Sequence, residues 1–278
     1  MKQTAVIGGG AMGAGIAHAL LLAGARVRLV EVTDDAAESA GKRVAGLVAK
    51  TEARGSLTKP AGAVLERLST HTGLDAVAGS ELLVEAVPED PKLKVRVLGD
   101  AEARVGPDCL VGTNTSSISV DELAAALGRP DRFLGMHFFN PVPASQLVEL
   151  VRGAATAPAA VDRAHGWVEA LGKTPIVVAD SPGFASSRLG LALGLEAIRM
   201  VQDGVASAED IDAAMTLGYK HPVGPLRLTD LVGLDVRLAI AQYLHERLGE
   251  RFAPPALLVE KVARGELGRK SGRGFHGW

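Results

Sequence analysis

The chain has 278 residues, and its composition excludes several classes of protein. Hydrophobic residues make up 47% and charged residues 22%, with a mean hydropathy of +0.18, which is typical of a soluble globular protein. The length suits one large domain or two unequal ones. The net charge of −2 and the aromatic content of 4% provide neither the basic field nor the stacking surfaces that nucleic-acid binding requires. We therefore expect no nucleic-acid partner.

The cysteine content and the distribution of apolar residues limit the protein further. Cys109 is the only cysteine, so an intrachain disulfide and a multi-cysteine metal site are excluded, and its apolar surroundings predict a buried strand thiol. No run reaches the ~18 apolar residues of a membrane span. The first predicted strand begins too close to Met1 to leave room for a signal peptide. These features predict a cytoplasmic protein without a membrane partner or a bound metal.

A glycine-rich turn near the start of the chain has the spacing of a dinucleotide-binding loop. Residues 4–7 predict a strand, and Gly8, Gly10 and Gly13 follow it in the pattern G-x-G-x-x-G. Gly8 allows a tight turn, Gly10 lets a pyrophosphate approach bare backbone, and Gly13 lets helix and strand pack closely. The N-terminus of the next helix offers N–H groups and a partial positive charge to phosphates.

The elements after this turn complete a strand–helix–strand unit. Residues 16–23 predict a helix that stops at Gly24, and residues 26–30 predict a second strand. Glu31 follows, 18 residues after Gly13, where a carboxylate can accept hydrogen bonds from ribose hydroxyls. The same charge repels a 2′-phosphate, so we expect NAD rather than NADP. The alternative is a βαβ unit whose glycine-rich turn binds no ligand.

The predicted helix over residues 34–54 carries basic side chains whose role stays open. Lys42, Arg43, Lys50 and Arg54 could meet the phosphates of a long nucleotide-bearing substrate. A solvated helix face explains them more simply, and we favour that interpretation.

Two further predicted strands end in polar residues. The strand over residues 82–87 precedes Glu89 and Lys94, and the carboxyl end of a parallel strand is where an α/β sheet binds ligands. Both are therefore candidates to face the cofactor, although an ordinary helix-start acid and a surface lysine would have the same sequence pattern. The strand over 109–112 precedes the polar run 113–117, which suits a helix N-cap or a polar site.

A histidine and a glutamate lie in two apolar strands farther along the chain. His137 comes at the end of a strand and is flanked by aromatic residues, a setting in which most histidines are satisfied core residues. Glu149 lies inside the apolar run LVELV and needs a partner if it is buried. His137 is the nearest candidate in sequence. A carboxylate on one imidazole nitrogen fixes the tautomer and makes the other nitrogen more basic.

The character of the chain changes near residue 182. A helix over 158–171 and a last strand over 174–179 precede the change, and only helical patterns follow it. The predicted helices cover residues 184–203, 207–218, 224–248 and 256–265. We therefore predict an α/β Rossmann-type domain over residues 1–182 followed by an all-α domain over residues 183–278.

Taken together, the motifs resemble those of the 3-hydroxyacyl-CoA dehydrogenase family, and within it the single-function 3-hydroxybutyryl-CoA dehydrogenases. The resemblance covers nearly the whole chain and rests on VIGGGAMGAGIA, VEAVPED, TNTSSIS, MHFFNPVP, LVELV, DSPGF, HPVGPLRLTDLVGLD and GRKSGRGF. It implies NAD-dependent interconversion of (S)-3-hydroxyacyl-CoA and 3-ketoacyl-CoA. It also implies a homodimer formed through the C-terminal helices, which cover the substrate cleft, and a place in fatty acid metabolism.

The resemblance assigns roles to individual residues. Ser116 matches the serine that hydrogen-bonds the substrate's 3-oxygen, His137 the catalytic base, and Glu149 the acid that orients it. Asn140 matches a residue near the nicotinamide and the substrate. The implied cofactor contacts are Gly8, Gly10, Ala11, Met12, Gly13, Glu31, Glu89, Lys94, Asn114 and Ser116.

One position departs from the family pattern. Ser187 stands just before Arg188-Leu189, where the family often has an asparagine that helps to hold the substrate's carbonyl region. Serine is shorter and offers one hydroxyl donor instead of an amide. A dehydrogenase for a hydroxy acid without CoA therefore stays open as an alternative. A dinucleotide-binding protein without turnover is a second alternative.

Overall fold

The computed structural model describes residues 2–278, which divide into two compact units, residues 2–181 and 182–278. The first unit is built on an eight-stranded sheet with helices. Its strands are β1 Gln3–Ile7, β2 Arg26–Val30, β3 Leu68–His71, β4 Leu82–Glu85, β5 Leu110–Thr113, β6 Phe133–Phe138, β7 Leu147–Arg152 and β8 Thr174–Ala179. Its helices are α1 Ala11–Leu22, α2 Asp34–Ala53, α3 Ala61–Leu65, α4 Pro91–Glu102, α5 Val120–Ala124 and α6 Pro158–Ala170.

The strand order is β3-β2-β1-β4-β5-β6-β7-β8. β6 and β7 run antiparallel, and the other neighbouring strands run parallel. The order reverses between β1 and β4, and a crevice at such a reversal is where doubly wound sheets bind dinucleotides. The predicted Rossmann-type α/β fold is therefore confirmed, and the glycine-rich turn lies at the reversal because it directly follows β1.

The first unit is stabilised by buried apolar strands, and a cap fixes the start of its helix α4. The middle strands β4 and β5 are buried along their whole length, as expected for parallel strands covered on both faces. Asp90 caps α4 by accepting the Lys92 and Leu93 N–H groups at 2.8 and 3.1 Å, and Pro91 occupies the first helical position. This cap ends the loop after β4 and so determines where Glu89 is held.

The second unit is helical and is stabilised by its own apolar core. Its helices are α7 Ser186–Gln202, α8 Ala208–Ala213, α9 Pro225–Val232, α10 Leu234–Leu248 and α11 Ala256–Ala263, with a π turn over Ala214–Gly218. Two carboxylates anchor the C-terminal segment. Asp230 accepts the N–H groups of Phe275 and His276, each at 2.8 Å, and Asp212 accepts Nε2 of His276 at 2.9 Å. The predicted all-α character of this region is confirmed.

Three details differ from the sequence predictions. The single helix predicted over residues 224–248 is wrong, because Gly233 adopts φ 104° and separates α9 from α10. α3 and β3 were not predicted, since β3 is only partly buried and shows no apolar run.

Within residues 2–278, no helix combines the length and hydrophobicity that crossing a bilayer would require.

Candidate active site

A cavity of about 350 Å³ opens in the first unit where β4, β5 and β6 end. It is lined by Met12, Ala86, Val87, Glu89, Asn114, Ser116, His137, Phe138, Phe139 and Asn140. Six of the sequence-predicted site residues are thus brought to one place. A larger depression of about 740 Å³ lies near β3, around Thr70, His71 and Gly73. None of the predicted site residues lines that depression, so we place the chemistry in the smaller cavity.

The pairing of β6 with β7 brings His137 and Glu149 together. The antiparallel register places the two residues directly opposite each other, so their side chains project from the same face of the sheet. Nδ1 of His137 lies 2.7 Å from Oε2 of Glu149. His137 is 6% exposed and Glu149 is fully buried. The predicted partnership between these residues is therefore present in the structure.

This geometry determines which nitrogen of the His137 imidazole can accept a proton. An ionised carboxylate only accepts hydrogen bonds, so Nδ1 carries hydrogen in the neutral ring, and we assign this tautomer from the contact. Nε2 is then the nitrogen that can take up a proton, and His137 lines the cavity. The Phe139 ring packs against the imidazole, with centroids 4.4 Å apart and the planes tilted by 44°, which further fixes the orientation of the ring.

The polar loop after β5 forms another wall of the cavity. Asn114 accepts the Phe138 N–H on its side-chain oxygen at 2.9 Å, which ties the ends of β5 and β6 together. Ser116 is exposed, and its N–H donates to Oε1 of Glu89 at 2.8 Å. The Ser116 hydroxyl lies 3.3 Å from the same oxygen, and the Thr115 hydroxyl donates to it at 2.7 Å. Glu89 therefore organises the loop that carries Ser116.

The Glu89 carboxyl is held in its charged form. Burial alone would raise its pKa, but the Thr115 hydroxyl, the Lys94 ammonium and the Ser116 N–H together outweigh burial and keep the pKa below its usual value. Lys94 is fully buried, with Nζ 2.7 Å from Oε1 of Glu85 and 3.3 Å from Oε2 of Glu89. In this structure its ammonium thus lies behind the cavity wall. Contact of Lys94 with the cofactor stays a prediction.

Sequence reasoning missed Glu85, the fully buried partner of Lys94. The signal was present, because Glu85 is a carboxylate in an apolar strand, as Glu149 is. That argument should apply to both residues, since an unpaired buried carboxylate is costly wherever it occurs.

The glycine-rich turn fits a dinucleotide. Gly8 has φ 93°, and a Cβ there would come within 2.6 Å of the Ala86 carbonyl oxygen. A Cβ on Gly13 would collide with the carbonyl oxygen of Gly8, whereas one on Gly10 would meet nothing within 4 Å. Bare backbone therefore faces open space at Gly10, immediately before α1 begins at Ala11, where a pyrophosphate can meet the helix N-terminus.

Glu31, the predicted ribose-binding acid, and Arg43 of α2 both contact this turn at Gly9. Glu31 accepts the Gly9 N–H at 2.6 Å, so its carboxylate adjoins the turn as the motif requires. Arg43 donates to the Gly9 carbonyl oxygen at 3.1 Å. Lys42 pairs with the exposed Glu38 on the same helix, which is the solvated arrangement that we favour for this face. Arg43 is thus the basic residue of α2 nearest to the predicted cofactor site by contact.

Two predicted site residues are less constrained by contacts. Asn140 is exposed at the rim of the cavity, at the start of the Pro-rich turn. Lys173 supports that turn by donating to the carbonyl oxygens of Val142 and Ser145 at 2.7 and 2.5 Å. Ser187 is the second residue of α7 in the second unit. Its place in the substrate site stays a prediction.

Comparison with known proteins identifies relatives along the whole chain. The 3-hydroxyacyl-CoA dehydrogenase NAD binding domain matches residues 3–181, and the C-terminal domain of the same family matches residues 183–278. The 3-hydroxybutyryl-CoA dehydrogenase of Bradyrhizobium diazoefficiens is 42% identical over 278 residues, which cover 99% of this chain and 95% of that protein. The mitochondrial hydroxyacyl-coenzyme A dehydrogenase of Rattus norvegicus is 37% identical, with 99% and 91% covered.

A solved structure agrees with the fold across both units. The crystal structure of (S)-3-hydroxybutyryl-CoA dehydrogenase from Ralstonia eutropha matches with a TM-score of 0.95 at 38% identity. The match covers 100% of this chain and 99% of that one. The predicted cofactor NAD is confirmed by the match of residues 3–181 to the NAD binding domain of this family.

Proposed function

Because the chain belongs to the 3-hydroxyacyl-CoA dehydrogenase family, we propose that it interconverts (S)-3-hydroxybutyryl-CoA and acetoacetyl-CoA with NAD. The observation that carries the proposal is the buried His137–Glu149 pair, whose histidine lines the same cavity as Met12, the second residue of α1 after the glycine-rich turn. A redox reaction at a secondary alcohol needs a base beside the nicotinamide, and this pair can supply one.

His137 and Glu149 have complementary roles in the proposed reaction. Bound NAD supplies the acceptor for the hydride that leaves C3 of the substrate. In the oxidative direction, Nε2 of His137 takes the proton of the 3-hydroxyl, and in the reductive direction it returns that proton to the 3-oxygen. Glu149 stabilises the imidazolium that forms, since its carboxylate contacts Nδ1 at 2.7 Å.

The residues around this pair orient the substrate and the cofactor. Ser116 contacts the substrate's 3-oxygen, and Asn140 lies near the nicotinamide and the substrate. Ser187 replaces the asparagine that is frequent in the family, and we propose that it tunes the choice of acyl group. Glu31 binds the ribose hydroxyls and selects against a 2′-phosphate, so that NAD is preferred to NADP.

We extend the proposal to a cytoplasmic homodimer that acts in fatty acid metabolism. Large apolar side chains are exposed on the helical unit, among them Leu189, Leu217 and Tyr219. A second copy covering such residues would remove their apolar surface from water. Light scattering on the purified protein measures the mass directly, and a monomer at micromolar concentration would contradict this part of the proposal.

The deciding experiment follows the loss of NADH absorbance with acetoacetyl-CoA as substrate. We expect rapid oxidation of NADH, slow oxidation of NADPH and no turnover by His137→Ala, whose NADH binding should be unchanged. Longer 3-ketoacyl-CoAs in the same assay give the chain-length preference. Faster turnover of free hydroxy acids with NAD would favour the dehydrogenase without CoA. Loss of NADH binding together with turnover in His137→Ala would contradict the role given to the imidazole.

A further inference from the structure

A buried ion pair lies behind the cavity, and the proposed mechanism makes no use of it. Glu85 is the last residue of β4, Lys94 lies in α4, and both side chains are fully buried. The desolvation of two such charges often cancels their attraction, so a buried ion pair is weak evidence for stability alone. Its contacts indicate what else it can do.

Glu85, at the end of β4, contacts the loop that follows it, helix α4 and the last residue of β5. Oε1 accepts from Nζ of Lys94 and from the Val87 N–H, each at 2.7 Å. Oε2 accepts from the Thr113 hydroxyl at 2.5 Å. Thr113 is the last residue of β5 and directly precedes the loop that carries Ser116, while Val87 is part of the cavity wall.

Lys94 also contacts a second carboxylate, that of Glu89. Its Nζ lies 3.3 Å from Oε2 of Glu89 and donates to the Val87 carbonyl oxygen, also at 3.3 Å. The other oxygen of Glu89 accepts the Ser116 N–H at 2.8 Å and the Thr115 hydroxyl at 2.7 Å. The contacts therefore run without a break from Glu85 through Lys94 and Glu89 to Ser116.

We propose that Glu85 and Lys94 are positioning residues, which hold the Glu89 carboxylate so that it fixes Ser116 at the substrate's 3-oxygen. The inference rests on the proposed function, because that function gives Ser116 its contact with the substrate. An ionised carboxylate accepts on both oxygens, from the loop donors at Oε1 and from Lys94 at Oε2, and the Lys94 charge favours this form. Lys94 thus acts on Ser116 through Glu89, in addition to its predicted contact with the cofactor.

The test compares Glu85→Gln, Lys94→Met and the double variant that carries both changes. Each single change leaves one buried charge without its main partner, so its melting temperature should fall. The double variant removes both charges and should recover much of that stability. At saturating NADH, its kcat for acetoacetyl-CoA should nevertheless stay at least about 10-fold below wild type, since a misplaced reacting contact can cost up to ~10²-fold. The KM for acetoacetyl-CoA should change less than kcat.

A second measurement makes the inference independent of the substrate. Hydrogen exchange over residues 113–117 should be faster in the double variant, because the Ser116 and Ser117 N–H groups both donate to Glu89. Asp75→Asn is the matched control. It breaks an ion pair at the surface of the same unit, in which Nε of Arg104 lies 2.8 Å from Oδ1 of Asp75. It should leave both kcat and the exchange of this segment unchanged.

The possible outcomes distinguish a failure of the positioning role from a failure of the proposed dehydrogenase function. Reduced kcat with faster exchange in the double variant supports the positioning role. A wild-type kcat in the double variant overturns it, and so does a reduced kcat with unchanged exchange. A wild-type protein that does not oxidise NADH with acetoacetyl-CoA would refute the proposed function instead. The exchange rates alone would then decide whether the pair holds the loop.

Discussion

Glu149→Gln tests the chemistry of the site most directly. The substitution retains the size of the side chain and removes a charge that lies 2.7 Å from Nδ1 of His137. Glu149 is fully buried, so water cannot replace the lost carboxylate. A hydrogen bond to a charged group contributes about 1.5–3 kcal/mol, whereas one between neutral groups contributes about 0.5–1.5 kcal/mol.

The expected loss follows from this difference. About 1.4 kcal/mol less stabilisation of the imidazolium in the transition state lowers the rate about 10-fold. The glutamine amide can also turn its NH₂ group toward Nδ1 of His137, which places the ring hydrogen on Nε2 and blocks proton uptake there. A wrong tautomer can cost up to ~10⁴-fold. We therefore expect kcat/KM to fall by at least about 10-fold.

The assay is the initial rate of acetoacetyl-CoA reduction, with NADH binding measured separately by fluorescence. Binding should be unchanged, since Glu149 is not among the residues that line the cavity. Glu169→Gln is the control, because it removes a carboxylate 3.5 Å from His165 in an exposed pair on α6. Wild-type kcat/KM in Glu149→Gln would refute the reasoning, as would an equal loss in both variants.

Further predictions concern the backbone and the thiol. Gly10→Ala should weaken NADH binding in a titration while the free energy of unfolding changes by less than ~0.5 kcal/mol, because the new methyl meets nothing within 4 Å. Gly13→Ala should destabilise by about 1–3 kcal/mol in urea unfolding, since its methyl collides with the Gly8 carbonyl oxygen. Gly233→Ala should cost a similar ~1–3 kcal/mol, because φ is 104° there. Burial raises the pKa of Cys109 to about 11, so a thiol reagent at neutral pH should label it only after unfolding. Retained NADH affinity in the first variant, unchanged stability in the next two or rapid labelling of the native thiol would contradict these expectations.

Much of the site could be predicted because its chemistry depends on local spacing. The glycine-rich turn needs its small residues at particular positions, and a Cβ at Gly8 or Gly13 would indeed collide with backbone. Glu149 stood out because it interrupts an apolar strand. The strand order could not be read from the same patterns, since it depends on contacts between segments that lie far apart in the chain.

The features that were not predicted from the sequence have specific physical causes. Gly233 lies between two stretches that share one helical apolar pattern, and periodicity does not record a change in φ at a single residue. β3 is an edge strand whose residues are partly exposed, so its sequence shows no buried run. Glu85 was missed although it carries the same signal as Glu149. Its partner Lys94 follows on a helix, and a lysine on a helix is far more often solvated.

The length of one connection explains why His137 and Glu149 lie opposite each other. Residues 139–146 join β6 to β7, and a parallel crossover needs a dozen or more residues, usually including a helix. The connection is too short for that, so β7 must return antiparallel. In an antiparallel pair, a slip of one residue would turn Glu149 to the opposite face of the sheet, away from His137. The register that the connection imposes therefore decides whether His137 has a carboxylate on Nδ1, and with it whether Nε2 can act as the base.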